Sequence, residues 1–204
     1  MKSIRRTEEP DCLRRMKKKR SAQSGDWNLY KHKDEIRSSL FVMQKKMCAY
    51  CESPLVEKET RIDHFIARHI DASKTFDWNN LFLSCACKDC CDQYKGSHDA
   101  SNVFKPDTTL GNLKIEDCYV YLESGMMRVK GDLPPSIHKK AENTINLFNL
   151  NCVQLIRKRK ALWDSLKFYK EYFGGDVDIC ILDEIVQKQG FESVCEYWKI
   201  NYMN

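Results

Sequence analysis

The sequence predicts an α+β protein that is mostly helical, with a small metal-binding core between N- and C-terminal helical regions. Apolar residues recur at helical spacing in several long segments, and two short segments have the composition of strands. Six of the eleven cysteines fall within 44 residues. The 204 residues, 42% of them hydrophobic, suffice for one domain with helical flanks. We predict a basic arm and helix at 1–45, a cysteine-rich core at 46–100, and a hairpin and helical region at 101–204.

The positive charge is concentrated at the start of the chain. Residues 1–20 carry nine Lys or Arg against three acidic residues, and the formal net charge is +5. Such a block suits a polyanion such as nucleic acid, but a solvated helix or arm explains it equally well. The same segment has no apolar stretch typical of a secretory signal, and the chain has no run that predicts a membrane span. We therefore expect a cytoplasmic protein.

Helices and short strands are predicted in order along the first half of the chain. Residues 28–47 place Ile36, Leu40, Met43 and Met47 at helical spacing, which predicts a helix leading into the first cysteines. The segment after it predicts a cysteine turn and a short hairpin whose second strand is "RIDHFI". The apolar run "NNLFLSC" then predicts a short strand, and "DQYKG" opens a helix.

The second half of the chain is predicted to contain one hairpin and then only helices. The segment "CYVYLESGMMRVKGD" alternates around "ESG", as a hairpin does. Pro134 and Pro135 mark the entry of a helix, because proline is favoured in a first helical turn. Further helices are predicted at 152–173, 178–189 and 191–202.

The cysteine cluster predicts a zinc site. Cys48 and Cys51 stand three apart, a spacing that presents two thiolates to one tetrahedral ion. Cys85 ends the apolar run, and its partner is Cys87, Cys90 or Cys91. We prefer Cys91, since it directly precedes the segment that opens the helix. Four thiolates leave no open coordination position, so this zinc should be structural.

The remaining cysteines are dispersed among apolar neighbours. We expect them to be small buried hydrophobic side chains, as unpaired cysteine commonly is. They are Cys12, Cys118, Cys152, Cys180 and Cys195.

An Asp-His pair and three further polar residues accompany the cysteines. Asp63 and His64 lie in the predicted strand, Asn80 begins the next apolar run, and Asp92 and Lys95 follow the last cysteines. In a regular strand Asp63 and His64 point to opposite faces, so they can share a site only at a strand end or irregularity.

The pattern "CAYCESPL…RIDHFIARH…WNNLFLSC…CCDQYKG" resembles the HNH nuclease motif, which adopts the ββα-metal fold. The resemblance covers residues 48–96. It implies an endonuclease that hydrolyses phosphodiester bonds in DNA with Mg²⁺ or Mn²⁺. The sequence departs from the standard motif in two places. Cys85 and Cys91 enclose five residues where the family has two, and the last position holds Asp92 where His or Asn is usual.

The resemblance also implies a role for each residue of the motif. His64 is similar to the general base that takes a proton from the attacking water. Asp63 and Asp92 resemble the ligands of the catalytic divalent ion. Asn80 resembles the residue that braces the loop and orients the base, and Lys95 occupies a place near the phosphate.

The flanking segments "EIRSSLFVMQKKMCAYCES" and "ENTINLFNLNCVQLIRKRKAL" resemble the HNH subunit of Septu-type anti-phage systems, also found beside some retrons. This implies an ABC/SMC-like ATPase partner, phage or host DNA as substrate, and for retrons a reverse transcriptase with its DNA product. The alternative is a non-catalytic zinc-binding module for nucleic acid or protein interaction. Such a module does not need the set Asp63, His64, Asn80 and Asp92.

Three further motifs have simpler interpretations. His69 is expected to be a loop residue, and the basic run 157–160 is expected to be the solvated side of a helix. Tyr50 and Trp78 flank the motif and are expected in the core.

Overall fold

The computed structural model describes residues 1–18, 26–173 and 179–203. Within these ranges the protein is α+β, with helices and two small antiparallel sheets. The strands are β1 (Arg61–His64), β2 (Leu81–Ser84), β3 (Tyr119–Tyr121) and β4 (Met127–Val129). The helices are α1 (Asp11–Lys18), α2 (Lys33–Met43), α3 (Cys91–Lys95), α4 (Pro135–Leu147), α5 (Val153–Tyr172), α6 (Ile179–Gln189) and α7 (Glu192–Tyr202). No helix in the described part of the chain is both long and apolar enough to cross a bilayer.

The first sheet pairs β1 with β2, in a register that sets Asp63 opposite Phe82 and His64 opposite Leu81. The prediction that "RIDHFI" is the second strand of a hairpin is therefore wrong: it is the first strand, and its partner lies downstream. Upstream of it, Pro54 has no N–H to donate to a ladder, and residues 57–59 form a 3₁₀ turn. The contact there is a single bridge between Met47 and Pro54.

Strand β2 is buried on both faces, which explains its continuous apolar sequence. Leu81 and Leu83 pack into a cluster with α1 and α2, while Phe82 belongs to a second cluster with the C-terminal helices. The sheet therefore joins the two halves of the core.

The N-terminal segment crosses this core. Ile4 N–H donates to the Pro106 carbonyl at 2.8 Å. The Arg6 guanidinium donates to Asp107 Oδ2 at 2.7 Å and to the Leu81 carbonyl at 2.9 Å, and lies 4.1 Å from the centre of the Phe82 ring. Part of the basic block at the start of the chain is thus bound within the fold.

The C-terminal half contains the predicted hairpin and helices. The hairpin is β3–β4, and α4 begins at Pro135 as the prolines predicted. In the basic run 157–160, Arg157, Lys158 and Lys160 are exposed as expected, whereas Arg159 is not. Arg159 is 3% exposed and donates at 2.6 Å to the carbonyl of Gly125, in the β3–β4 turn, and at 2.8 Å to the carbonyl of Leu150, in the connection between α4 and α5.

The turn between α6 and α7 docks on the first cysteine turn. Phe191 N–H donates to the Glu52 carbonyl at 3.0 Å, and Ser193 N–H donates to Glu52 Oε2 at 2.9 Å. Gly190 has φ of +75°, and a Cβ at this position would lie 2.3 Å from the Glu52 carbonyl oxygen. This close approach requires glycine.

Several expectations about burial are confirmed. Tyr50 and Trp78 are core residues. Four of the five dispersed cysteines are buried: Cys12, Cys118, Cys152 and Cys195. The side chain of Cys180 and residue 178, where α6 was predicted to begin, lie outside the described residues.

Candidate functional site

Four cysteine sulfurs meet beside the first sheet. Cys48 and Cys51 lie on the turn after α2, Cys85 follows β2, and Cys91 begins α3. Their Sγ atoms all lie within 4.8 Å of one another, with Cys48–Cys91 at 3.8 Å and Cys51–Cys85 at 3.9 Å. A tetrahedral ion with Zn–S bonds of about 2.3 Å requires sulfur–sulfur separations of about 3.8 Å. The cluster can therefore hold a metal ion such as zinc.

The close packing of these thiols shifts their pKa values in different directions. Burial raises the pKa of Cys48 and Cys91, whereas hydrogen bonds from the neighbouring thiols hold the pKa of Cys51 well below its usual value. Cys85 N–H donates to Cys48 Sγ at 3.4 Å, a contact that stabilises a thiolate. Four thiolates this close, three of them buried, repel one another unless a cation binds between them.

The two alternative ligands lie outside this group of four. Cys87 is half-buried, and its sulfur contacts Gln154 Oε1 at 3.2 Å. Cys90 is fully buried at the N-terminal cap of α3, and its thiol interacts with those of Cys51, Cys85 and Cys91 although it is not in the group whose sulfurs all lie within 4.8 Å of one another. The structure thus brings together the preferred set, with Cys91 as the fourth cysteine.

An open cleft of about 660 Å³ is lined by all four residues of β1 and, from α3 and the turn after it, by Asp92, Gly96 and Ser97. The motif residues in its wall are Asp63, His64 and Asp92. His64 is the last residue of β1, and this strand end allows it to line the same cleft as Asp63. The other lining residues include Trp27, Asn28, Arg61, Ile62, Ala67, Arg68, His69, Gly96 and Ser97.

Asp63 is held in a buried network. Lys95 Nζ donates to Asp63 Oδ1 and Oδ2 at 2.8 and 2.7 Å, and the Tyr50 hydroxyl donates to Oδ2. Burial raises the pKa of Asp63 to about 7; the Lys95 ammonium acts against this, and the nearby Asp92 carboxylate raises the pKa further. Two carboxyl groups therefore lie close together in this wall, an arrangement that a divalent cation stabilises.

His64 is positioned as a neutral ring. Burial lowers its pKa to about 4, so the imidazole is uncharged at neutral pH. Its Nε2 lies 2.9 Å from the Thr75 carbonyl oxygen. A carbonyl only accepts, so Nε2 carries the ring proton and Nδ1 keeps a free lone pair. The Trp27 ring packs edge-on against the imidazole at 4.6 Å and limits its rotation.

Asn80 braces the loop that follows His64. Its Oδ1 accepts from Ile66 N–H at 2.7 Å, and its Nδ2 donates to the carbonyls of Ile66 and Lys74 at 3.0 and 3.1 Å. Because Thr75 follows Lys74, the carbonyl that orients His64 is held by the same loop. This geometry agrees with the bracing role that the motif implies.

Lys95 differs from expectation. Its side chain is fully buried, and besides Asp63 it donates to the His64 carbonyl at 2.8 Å. An ammonium with no exposed surface does not reach a phosphate in the cleft. Lys95 instead neutralises Asp63 and ties α3 to the end of β1.

Asp92 has a different partner. Arg61 Nε donates to Asp92 Oδ2 at 2.7 Å, and the Arg61 side chain is 55% exposed. Sequence reasoning missed Arg61, although it stands two residues before Asp63 and strand alternation places both on one face. It also missed Trp27, which the packing of α2 brings to the cleft and which carries no local signal.

The arrangement therefore has two parts: a four-thiol cluster with no room for a substrate, and a separate open cleft with a neutral histidine and two carboxyl groups. In the parts of the chain described, no second group of three or more His, Cys, Asp or Glu side chains brings its ligand atoms as close as the four cysteines. No protein-family model and no curated protein matches the chain.

Proposed function

We propose that the protein is a metal-dependent endonuclease of the HNH (ββα-metal) type that hydrolyses phosphodiester bonds in DNA. The observation that carries the proposal is the open cleft that His64, Asp63 and Asp92 line together. Two observations support the assignment of the fold. The elements follow in the order β1, β2, α3, and the four-thiol cluster links the turn before β1 to the start of α3.

Two metals have separate tasks in this proposal. Zinc bound by Cys48, Cys51, Cys85 and Cys91 has no open coordination position, so its role is structural. Asp63 and Asp92 would hold Mg²⁺ or Mn²⁺, which commonly binds through one or two carboxylates and keeps several waters. When bound, such an ion offsets the negative charge that develops at the scissile phosphate and leaving oxygen.

His64 is the general base. Its unprotonated Nδ1 accepts a proton from the attacking water, while Nε2–H remains bonded to the Thr75 carbonyl. Proton uptake makes the ring cationic, and the carbonyl at 2.9 Å stabilises that form better than the neutral one. Trp27 and the Asn80-braced loop fix the ring so that little reorganisation accompanies the transfer.

The buried Lys95 is a positioning residue. It holds the Asp63 carboxylate in one orientation and, through the His64 carbonyl, fixes the backbone of the general base. A ligand carboxylate held in this way is ordered before the metal arrives.

The cleft suits a nucleic-acid backbone. It is open, and Arg68 and His69 on its rim are exposed. Such groups contact phosphates and carry little sequence information. We therefore expect DNA cleavage with little sequence preference.

A role in anti-phage defence beside an ABC/SMC-like ATPase is part of the proposal and rests on the flanking segments alone. Co-expression of the two proteins followed by gel filtration tests it. A common peak with fixed stoichiometry supports the complex, and separate elution opposes it.

The nuclease proposal is tested with zinc-loaded protein and supercoiled plasmid. We expect nicking and linearisation in Mg²⁺ or Mn²⁺, none without added divalent ion, and a loss of at least about 100-fold in His64→Ala, the scale of a general base. His138→Ala on α4 is the matched control and should cleave as the wild type does. Omission of Mg²⁺ is preferable to EDTA, which also removes zinc.

Equal cleavage by wild type and His64→Ala would reject this active site. Tight DNA binding without cleavage under every metal condition, also with the ATPase added, would favour the non-catalytic zinc module. Zinc content and thermal unfolding of both variants show whether a loss of cleavage reflects chemistry or misfolding.

A further inference from the structure

We propose that Arg61 is an exchangeable counter-ion of the cleft. It holds the Asp92 carboxylate while no divalent ion is bound, releases it when the ion binds, and then binds a phosphate of the nucleic acid. The inference rests on the proposed function, because it concerns the same cleft.

The two carboxylates of the cleft have cations of different kinds. Asp63 is paired with Lys95, and their side chains are 4% and 0% exposed. Asp92 is 13% exposed, and its partner Arg61 is 55% exposed. Removing Lys95 would leave a buried charge without a partner, whereas an exposed arginine exchanges its partner for water at little cost. Only the Arg61 contact is therefore suited to exchange.

A divalent ion and Arg61 compete for Asp92. Arg61 Nε contacts Oδ2, one of the two oxygens with which Asp92 would hold the ion. A dication between two carboxylates also repels a guanidinium placed against one of them. Binding of the ion therefore favours release of Arg61.

The released guanidinium remains in the cleft wall. Arg61 stands opposite Ser84 at the start of β1, so its backbone is fixed by the sheet. Its planar fork matches phosphate geometry, and phosphate is the anion that enters this cleft with the substrate. The Arg61 guanidinium thus exchanges the Asp92 carboxylate for a substrate phosphate when the divalent ion binds.

Calorimetric titration of Mn²⁺ into zinc-loaded protein tests the first half of the exchange. Arg61→Ala should bind Mn²⁺ about two- to five-fold more tightly than the wild type, the range expected for loss of one exposed competing ion pair. Arg68→Ala removes the same charge from the same cleft and is the matched control; its effect should be smaller. Weaker Mn²⁺ binding in Arg61→Ala, or an effect equal to that of Arg68→Ala, would overturn the proposal.

Binding of a short DNA duplex to the His64→Ala protein, measured by fluorescence anisotropy, tests the second half. With Mn²⁺ present, adding Arg61→Ala should reduce the slope of log K against log salt by about 0.9, one phosphate contact. Without Mn²⁺ the two proteins should have the same slope. A slope that changes equally in both conditions, or in neither, would contradict the exchange.

Asp92→Asn distinguishes failure of the inference from failure of the proposed function. If the wild type binds Mn²⁺ and Asp92→Asn does not, the proposed metal site is supported. The arginine variants then test only the role of Arg61. If Asp92→Asn binds Mn²⁺ as the wild type does, the metal site of the proposed nuclease is rejected, and the exchange of Arg61 is rejected with it.

Discussion

Replacement of Lys95 by methionine should destabilise the protein severely. The ammonium makes four hydrogen bonds, two to the Asp63 carboxylate and two to the carbonyls of His64 and Phe65, and no part of it is exposed. Methionine fills a similar volume but leaves a buried carboxylate without its cation. Breaking a buried pair in this way costs about 3–5 kcal/mol, a large share of a typical 5–15 kcal/mol stability.

The measurement is urea denaturation of the zinc-loaded protein, followed by tryptophan fluorescence. A loss of this size lowers the midpoint by about 2 M, for a slope near 2 kcal/mol per molar. Lys158→Met, at an exposed position on α5, is the control and should change stability by less than about 0.5 kcal/mol.

The double variant Asp63→Asn/Lys95→Met makes the test specific. Removing the charge of Asp63 as well relieves the unpaired carboxylate, so the double variant should lose less than the sum of the two single losses. Additive losses, or a Lys95→Met variant within about 1 kcal/mol of the wild type, would refute the view that Lys95 is the counter-ion of Asp63.

Three further predictions follow from the fold. Cys51→Ser should abolish stoichiometric zinc binding, measured by elemental analysis, and should lower the stability of the core, because the free energy of metal binding contributes to folding. Arg6→Ala should cost about 2–4 kcal/mol in urea denaturation, since it leaves buried acceptors of the first sheet unsatisfied; a change under about 0.5 kcal/mol would show that the arm is not part of the core. Gly190→Ala should cost about 2–4 kcal/mol, because its Cβ would lie 2.3 Å from a carbonyl oxygen, whereas Gly131→Ala, with nothing within 4 Å, should be near neutral by thermal unfolding.

The four-cysteine cluster could be predicted because its signal is local. Cys48 and Cys51 occupy one turn, and any fold that keeps this turn presents both sulfurs together. The choice of Cys91 over its neighbours followed from the start of a helix, which is also a local property. The adjacency of Asp63 and His64 and the helical periodicity of the flanks are of the same kind.

Features that depend on long-range packing could not be predicted in this way. Lys95, Arg159 and Arg6 are all charged residues that sequence patterns assign to the surface. Each is buried because another segment supplies carbonyl or carboxylate acceptors at that place: the end of β1, the β3–β4 turn, and residues 79–81 with Asp107. A single sequence does not show which distant backbone groups a side chain will satisfy.

The pairing of the first sheet was missed for a related reason. The segment before "RIDH" has some strand character, and proximity in sequence favoured it as the partner. The actual partner, "LFLS", lies sixteen residues beyond β1 but is buried on both faces, so pairing with it removes more apolar surface from water.

The contacts of Glu52 affect the order in which parts of the chain can fold during translation. Glu52 follows the second cysteine of the first cysteine turn. Its carbonyl accepts from Phe191 N–H and its carboxylate from Ser193, about 140 positions later, while the Met1 ammonium also lies 3.0 Å from Oε1. On the ribosome, the first cysteine turn emerges long before Phe191 and Ser193 exist. The turn therefore lacks its contacts with Phe191 and Ser193 until α6 and α7 have left the exit tunnel. A chain that is still being translated therefore lacks the contacts that complete the core around the first cysteine turn.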